Sequence, residues 1–96
     1  CLMRTLTIGR PGNQHRDMFS ATKDAMLAMT DAARSGNTIG QIDDAHRATF
    51  DNAGYNHARL SACGYSLGAT YAPSWMDVPP MIHSGNDTLI RPGMRL

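Results

Sequence analysis

The chain has no glutamate: all eight of its acidic residues are aspartates, so a mechanism that needs a glutamate would have to take it from outside these 96 residues. Lysine is almost as scarce, because eight of the nine basic residues are arginines and Lys23 is the exception. The basic residues are scattered singly and the net charge is +1, which argues against a nucleic-acid or membrane-surface patch. We therefore predict no nucleic-acid partner and no membrane partner.

Cysteine and long apolar runs are also scarce. Cys1 and Cys63 lack the close spacing of a zinc motif and no secretory signal accompanies them, so we predict reduced thiols in a cytoplasmic protein. No run reaches the length of a membrane-spanning helix. No carboxylate or cysteine lies at a sequence spacing that would complete a metal set with His46. We predict that His46 is a partly buried, hydrogen-bonded side chain rather than a ligand.

The first half of the chain predicts one strand and two helices, which together with the second half fill a single small domain. Leu2 to Ile8 alternates apolar and polar residues, as a strand with one buried face does. A helical period runs from Asn13 to about Ser35, ends at Gly36, and places on its inner face Met18, Thr22, Ala25, Met29 and Ala32.

The second predicted helix begins after Thr38, a good N-cap residue, and runs to about Asn52. Its inner face carries Ile39, Ile42, His46 and Phe50. Asp43 precedes Arg47 by four residues, which predicts a weak ion pair between the two side chains.

The second half predicts extended segments and turns. Tyr55 to Leu67 is expected to be extended, whereas Pro73, Pro79 and Pro80 should keep the next segment out of regular structure. Two short runs, Met81–Ile82 and Leu89–Ile90, are separated by a turn at residues 84–87 and followed by a second turn at residues 92–93. The order of elements predicts an α+β fold with two helices on one face of a largely antiparallel sheet.

The segment from Cys63 to Gly68 is the centre of the functional prediction. Its glycines suit the end of a strand beside a pocket, and Tyr71 and Trp75 follow in a loop of the kind that often binds ligands. The alternative is that these two aromatic residues only cover the edge of the core. Ser66 lies in a G-x-S-x-G sequence, but the residues after it do not predict the helix that a nucleophile elbow needs, and a hydroxyl bonded to the nearby backbone is the simpler prediction.

Several stretches together resemble one protein family. Leu2 to Leu6 with the following Gly-Arg-Pro resembles the family's strand with an Arg-Thr core, residues 64–68 resemble its G-H-x-x-G signature, and Asp87 to Met94 resembles its D-x-x-L-x-P-G-M turn. The chain is therefore similar to the creatinase and Xaa-Pro aminopeptidase superfamily, whose catalytic domain has the pita-bread fold. The resemblance implies that residues 1–96 are a partial catalytic domain, truncated at both ends and inactive alone.

Departures from the family pattern shape the functional prediction. Cys1 and Tyr65 stand where metal-dependent members of that family carry an aspartate and a histidine ligand, and a neutral phenol is a poor ligand for such an ion. The Gly-Tyr variant looks most like the ectoine hydrolase branch. The resemblance thus implies a hydrolase that cleaves C–N bonds of a small nitrogenous substrate without a metal cofactor.

That resemblance also implies roles for individual residues. Tyr65 would be catalytic, and Tyr71 and Trp75 would bind a small-molecule substrate. The full-length protein is expected to be a homodimer. The alternatives are a metal-dependent Xaa-Pro aminopeptidase with a divalent cofactor, and a non-catalytic binding module of the same fold.

Overall fold

The computed structural model describes residues 4–68, 73 and 76–96 of the chain. Its elements in chain order are α1 (Asn13–Ala32), α2 (Ile39–Asn52), a short 3₁₀ turn (Asn56–Ala58), β1 (Gly64–Leu67) and β2 (Met76–Ile82). β1 and β2 form a two-stranded antiparallel sheet, which confirms the predicted α+β class. Within these described ranges, no helix combines the length and the apolar character that crossing a membrane requires.

Helix α1 buries a narrow face of small residues. Ala21 and Ala25 are buried, and partly buried side chains extend the face to Met18, Met29 and Ala32. The prediction was wrong for Thr22, which is exposed and donates its hydroxyl hydrogen to the Met18 carbonyl oxygen over 2.8 Å. The helix also ends earlier than predicted, at Ala32, and Gly36 adopts its positive φ of 95° in the turn that comes next.

Helix α2 begins and ends where the sequence predicts. The Thr38 hydroxyl accepts a hydrogen bond from the Gln41 N–H, and the Gln41 side chain accepts one from the Thr38 N–H, which forms a capping box. Ile39, Ile42 and Phe50 are buried, so the predicted inner face is confirmed for these residues.

The sheet differs from the prediction at both strands. The extended segment predicted before residue 64 contains the 3₁₀ turn, and only Gly64–Leu67 forms a strand. The proline-rich segment was predicted to be irregular, but β2 runs through Pro79 and Pro80. A proline cannot donate a ladder hydrogen bond, and β2 tolerates two of them because, among the described segments, it pairs with β1 on one side only.

The segment after β2 packs against the start of α2 instead of forming a hairpin with the end of β2. The Ile39 N–H donates to the Thr88 carbonyl oxygen over 2.8 Å, and the Ile90 N–H donates to the Asn37 carbonyl oxygen over 2.8 Å. This arrangement brings four buried isoleucines into one core, from α2, β2 and the C-terminal segment: Ile39, Ile42, Ile82 and Ile90. The turn at residues 92–93 is confirmed, with Met94 N–H bonded to the Arg91 carbonyl oxygen.

The predicted first strand is absent from the described part of its range. Residues 4–8 form neither helix nor strand, and Leu6 and Ile8 are 88% and 97% exposed. Alternating residues stabilise a strand only when a partner strand and an apolar surface are available to cover one face. Neither is supplied to residues 4–8 by the other described segments.

Candidate functional site

Tyr65 lies in the middle of β1, next to an irregularity in the sheet. Its backbone pairs with Met81, and the register shifts between Tyr65 and Leu67. Beyond the shift, the Leu67 N–H donates to the Arg95 carbonyl oxygen over 2.9 Å, so the C-terminal segment also holds the strand. Irregularities of this kind re-aim side chains and are common beside active sites. The Tyr65 side chain is partly buried, which leaves surface for contact with another molecule.

The other two predicted site residues, Tyr71 and Trp75, lie outside the described residues, and their substrate-binding role stays a prediction. Ser66 follows Tyr65 and is 4% exposed. Because the strand continues through Leu67, Ser66 is not at the strand-to-helix turn that a nucleophile elbow requires. Its hydroxyl oxygen has no hydrogen-bond partner, so the predicted backbone bond is absent.

A buried carboxylate lies between α2 and the sheet. Asp43 is 0% exposed, and its Oδ2 atom accepts hydrogen bonds of 2.8 Å from Arg47 Nε and 2.8 Å from the Ser84 N–H. Asp43 therefore joins α2 to the turn that comes after β2. The predicted pairing of Asp43 with Arg47 is confirmed, and the Asp43 side chain that makes it is fully buried.

The other oxygen of Asp43 faces three further side chains. His46 Nδ1 lies 3.7 Å from Oδ1, and Arg59 Nη1 lies 3.6 Å from it. Cys63 is the third: one donor atom from each of Asp43, His46 and Cys63 lies within 4.8 Å of the others. We call these three residues the Asp-His-Cys cluster. Asp43 Oδ1 and His46 Nδ1 are both buried and have no hydrogen-bond partner.

The protonation states of the cluster result from burial and from its charges. Burial would raise the pKa of Asp43, but hydrogen bonds from Arg47 and Ser84 outweigh it and hold that pKa below its ordinary value. Burial lowers the pKa of His46. Burial first, and then the negative charge of Asp43, raise the pKa of the Cys63 thiol to about 12. At neutral pH the cluster therefore contains a carboxylate, a neutral imidazole and a protonated thiol.

The structure confirms one part of the sequence prediction for His46 and contradicts another. The residue is partly buried as expected, but its Nδ1 atom is not hydrogen-bonded, and a carboxylate and a thiol lie beside it. Cys63 is twenty residues from Asp43 in the chain, so no spacing rule could join them. One signal was available: Asp43 lies between Ile39, Ile42 and His46 on the apolar face of α2, where an unpaired charge would be costly.

Comparison with known proteins identifies the family. The whole chain, residues 1–96, matches the model of metallopeptidase family M24. The chain belongs to family M24. Its two helices and antiparallel strands are consistent with part of the pita-bread fold. The predicted resemblance is thereby confirmed.

Relatives within family M24 carry more than one activity in their names. The chain is 30% identical over 93 residues to the Xaa-Pro dipeptidase of Lactobacillus delbrueckii subsp. lactis. The aligned region covers 95% of the chain and 23% of that protein. It is 28% identical over 93 residues to the ectoine hydrolase of Halomonas elongata, and the alignment covers 97% of the chain and 23% of that hydrolase. An uncharacterized hydrolase/peptidase of Sinorhizobium fredii is 32% identical over 92 residues, and the alignment covers 96% of the chain and 23% of that protein. The chain thus spans about a quarter of the length of these hydrolases.

The family name implies a bound metal ion. Of the two ligand positions identified by the resemblance, the one that the structure describes is Tyr65, and its side chain is a poor metal ligand. Where the resemblance places a histidine ligand, β1 presents the phenol of Tyr65. A neutral phenol offers a weakly donating oxygen, whereas ions such as Zn²⁺ are bound in proteins by imidazole, thiolate and carboxylate groups. The second position, Cys1, lies outside the described residues. The absence of a metal cofactor stays a prediction that rests on Tyr65.

Proposed function

We propose that the chain is part of the catalytic domain of a hydrolase that cleaves a C–N bond in a small nitrogenous molecule without a catalytic metal. The observation that carries this proposal is Tyr65, a partly buried phenol on β1 where the family pattern has a metal-ligating histidine. The ectoine hydrolase of Halomonas elongata, one of the relatives, provides a precedent by name for an amide-type substrate that is not a peptide.

Tyr65 has the chemistry to act on a developing negative charge. Attack of water on an amide-type carbon produces an oxyanion, and a hydroxyl donor in fixed position stabilises it more than it stabilises the uncharged substrate. Pairing with Met81 and the adjacent register shift fix the backbone of Tyr65. The phenol would donate its hydrogen to the oxyanion, while Tyr71 and Trp75 would hold the substrate, with their ring faces favouring a cationic or zwitterionic molecule.

A metal-dependent Xaa-Pro peptidase is the second candidate. It is favoured by the family name and by the Xaa-Pro dipeptidase of Lactobacillus delbrueckii subsp. lactis among the relatives. In that case the ligands would come from residues other than Tyr65. A non-catalytic binding module of the same fold is the third candidate, and a complete protein without activity on either substrate class would favour it.

The variant Tyr65→Phe tests the proposed role. Loss of one oxyanion donor lowers kcat by about 10²–10³, and KM should change little because the donor acts mainly in the transition state. Turnover of ectoine and of Xaa-Pro dipeptides by the complete protein would be measured. Tyr55→Phe is the matched control, because Tyr55 is also partly buried but lies after α2, away from β1.

Two results would overturn the proposal. Wild-type activity in Tyr65→Phe would show that the phenol takes no part in the mechanism. A loss of activity that is accompanied by a matching loss of thermal stability would assign the side chain to packing. Metal analysis provides the second test: about two divalent ions for each chain, needed for activity as in two-metal hydrolases, would favour the metallopeptidase.

The remaining features of the proposal concern partners and location. A small-molecule substrate, a homodimer of the complete protein and a cytoplasmic location are proposed from the family resemblance and the reduced thiols.

A further inference from the structure

We propose that the Asp-His-Cys cluster binds one divalent transition-metal ion of the zinc type, through side chains other than that of Tyr65 and independently of the catalytic role proposed for it. The site would join α2, which carries Asp43 and His46, to the residue that precedes β1, Cys63. A metal there would stabilise the layer of helix and sheet and would take no part in the hydrolysis.

The donor set has the chemistry and the spacing of a zinc site. A carboxylate, an imidazole and a thiol are ligands of Zn²⁺ in proteins, with bond lengths of about 2.0–2.3 Å. Tetrahedral bonds of those lengths place neighbouring donor atoms about 3.4–3.6 Å apart. Asp43 Oδ1 and His46 Nδ1 are already 3.7 Å apart, and all three donors lie within 4.8 Å of one another. Side-chain adjustments of about 1 Å would complete the geometry.

Two buried polar atoms of the cluster have no hydrogen-bond partner. Among the side chains that the structure describes, three buried polar atoms lack a hydrogen bond, and two of them are Asp43 Oδ1 and His46 Nδ1. Native proteins rarely leave such atoms without a partner, because each one loses its contact with water and gains nothing in return. One cation between these two atoms would satisfy both.

The surroundings of Asp43 orient it as a metal ligand. Oδ2 is occupied by Arg47 Nε and by the Ser84 N–H, each at 2.8 Å, which leaves Oδ1 as the atom that faces His46. Hydrogen bonds to the second oxygen of a ligating carboxylate are a regular feature of metal sites. To coordinate the metal, the Cys63 thiol must lose its proton to solvent as the metal–sulfur bond forms. A coordinating metal drives this deprotonation.

Arg59 is the competitor for this site. Its Nη1 atom lies 3.6 Å from Asp43 Oδ1, beyond hydrogen-bond distance, while the guanidinium donates to the Leu60 carbonyl oxygen over 2.9 Å and to Asn56 Oδ1 over 3.3 Å. A bound cation would repel this nearby positive charge. Arg59→Gln should therefore strengthen metal binding, a result that a network without metal does not predict.

The experiment is a titration of the purified protein with Co²⁺, which substitutes for zinc and reports on its ligands. Binding of one Co²⁺ should produce the near-ultraviolet absorption of a sulfur-to-cobalt charge transfer, and Zn²⁺ should abolish it by displacement. Cys63→Ser should lose this absorption. Cys1→Ser is the matched control and should keep it. A two-metal site built from oxygen and nitrogen ligands would not produce the sulfur absorption, so the two kinds of metal binding are distinguishable.

Further variants keep the test decisive if Cys63→Ser does not fold. His46→Gln retains the thiol and the carboxylate, and it should weaken Co²⁺ binding by about tenfold or more, while Arg59→Gln should strengthen it several-fold. The proposal is overturned if the folded wild-type protein shows no sulfur-to-cobalt absorption. It is also overturned if that absorption depends on Cys1 instead of Cys63, or if His46→Gln binds Co²⁺ as tightly as the wild type.

Discussion

Replacing Asp43 by alanine should lower the free energy of unfolding by about 2–4 kcal/mol, because it removes a buried carboxylate that accepts two hydrogen bonds. Asp43 is 0% exposed, and its Oδ2 atom accepts two hydrogen bonds of 2.8 Å, from Arg47 Nε and the Ser84 N–H. Alanine leaves the Ser84 N–H without this acceptor and removes the carboxylate nearest to Arg59, whose side chain is 9% exposed. The orphaned Ser84 N–H accounts for about 1–3 kcal/mol of this loss, and the hydrogen bond with Arg47 adds about 1 kcal/mol, because the Arg47 side chain is 38% exposed and water can replace its partner.

The matched control is Asp44→Ala. Asp44 is the next residue on α2 and accepts a 2.6 Å hydrogen bond from the Ser84 hydroxyl, but it is exposed, so water can replace that partner. Its loss should cost about 1 kcal/mol or less. Equilibrium unfolding in urea, followed by circular dichroism, measures both effects as shifts of the midpoint at constant slope. The reasoning is refuted if the two variants are equally stable, or if Asp43→Ala lies within about 1 kcal/mol of the wild type.

The same variant predicts a pH dependence with a definite sign. The folded-state pKa of Asp43 lies below the ordinary value of 3.8, because the hydrogen bonds from Arg47 and Ser84 outweigh the effect of burial. A carboxyl group with a lowered pKa adds stability above the unfolded-state pKa, and the contribution is lost as the pH falls through the folded-state pKa. The difference in unfolding free energy between the wild type and Asp43→Ala should therefore be constant near neutral pH and should shrink below about pH 4. A difference that fails to shrink as the pH falls below about 4 would contradict the assignment.

Two other variants test packing and burial. Gly40→Ala should destabilise the protein by about 1–3 kcal/mol, because the added Cβ would lie 2.9 Å from the Asn86 backbone nitrogen. Gly12→Ala should cost about 1 kcal/mol or less in the same urea assay: its nearest contact would be a side-chain atom at 3.6 Å, and the cost comes from placing alanine at the N-cap of α1. In a Cys1→Ser background, Cys63 should react with iodoacetamide at pH 8 on the order of a hundredfold more slowly than in urea, because burial and then the charge of Asp43 raise its pKa to about 12. Equal rates in the two conditions would place the thiol in solvent.

The helices could be predicted because their signals are local. Thr38 and Gln41 are three residues apart and form the capping box that begins α2, and the periodic apolar residues up to Phe50 lie on its buried face. The predicted end of α1 was wrong because it depends on a distant segment. Gly36 has the positive φ expected of a helix-terminating glycine, but the segment around Ile90 binds its N–H and places it in a turn after the helix.

The sheet was harder to predict because strand pairing depends on distant residues. Pro79 and Pro80 argued locally against a strand, yet β2 is paired on one side with β1 and its prolines need no donor on the other. Conversely, the alternation in residues 4–8 predicts a strand, but the described segments give it no partner. The chain spans about a quarter of its relatives, so the partner of such a strand would be sought in the complete protein.

The Asp-His-Cys cluster is the part of the molecule that sequence spacing could not predict, since Cys63 comes from a different segment than Asp43 and His46. A carboxylate on an apolar helix face has to find a cation, a hydrogen-bond donor or a metal, and the sequence cannot say which until the chain has folded. In the structure Arg47 and the Ser84 N–H satisfy one oxygen, while the other faces His46 and Cys63 without a hydrogen bond. That second oxygen also has Arg59 Nη1 at 3.6 Å, so the proposed cation site requires the metal to displace this guanidinium from Asp43.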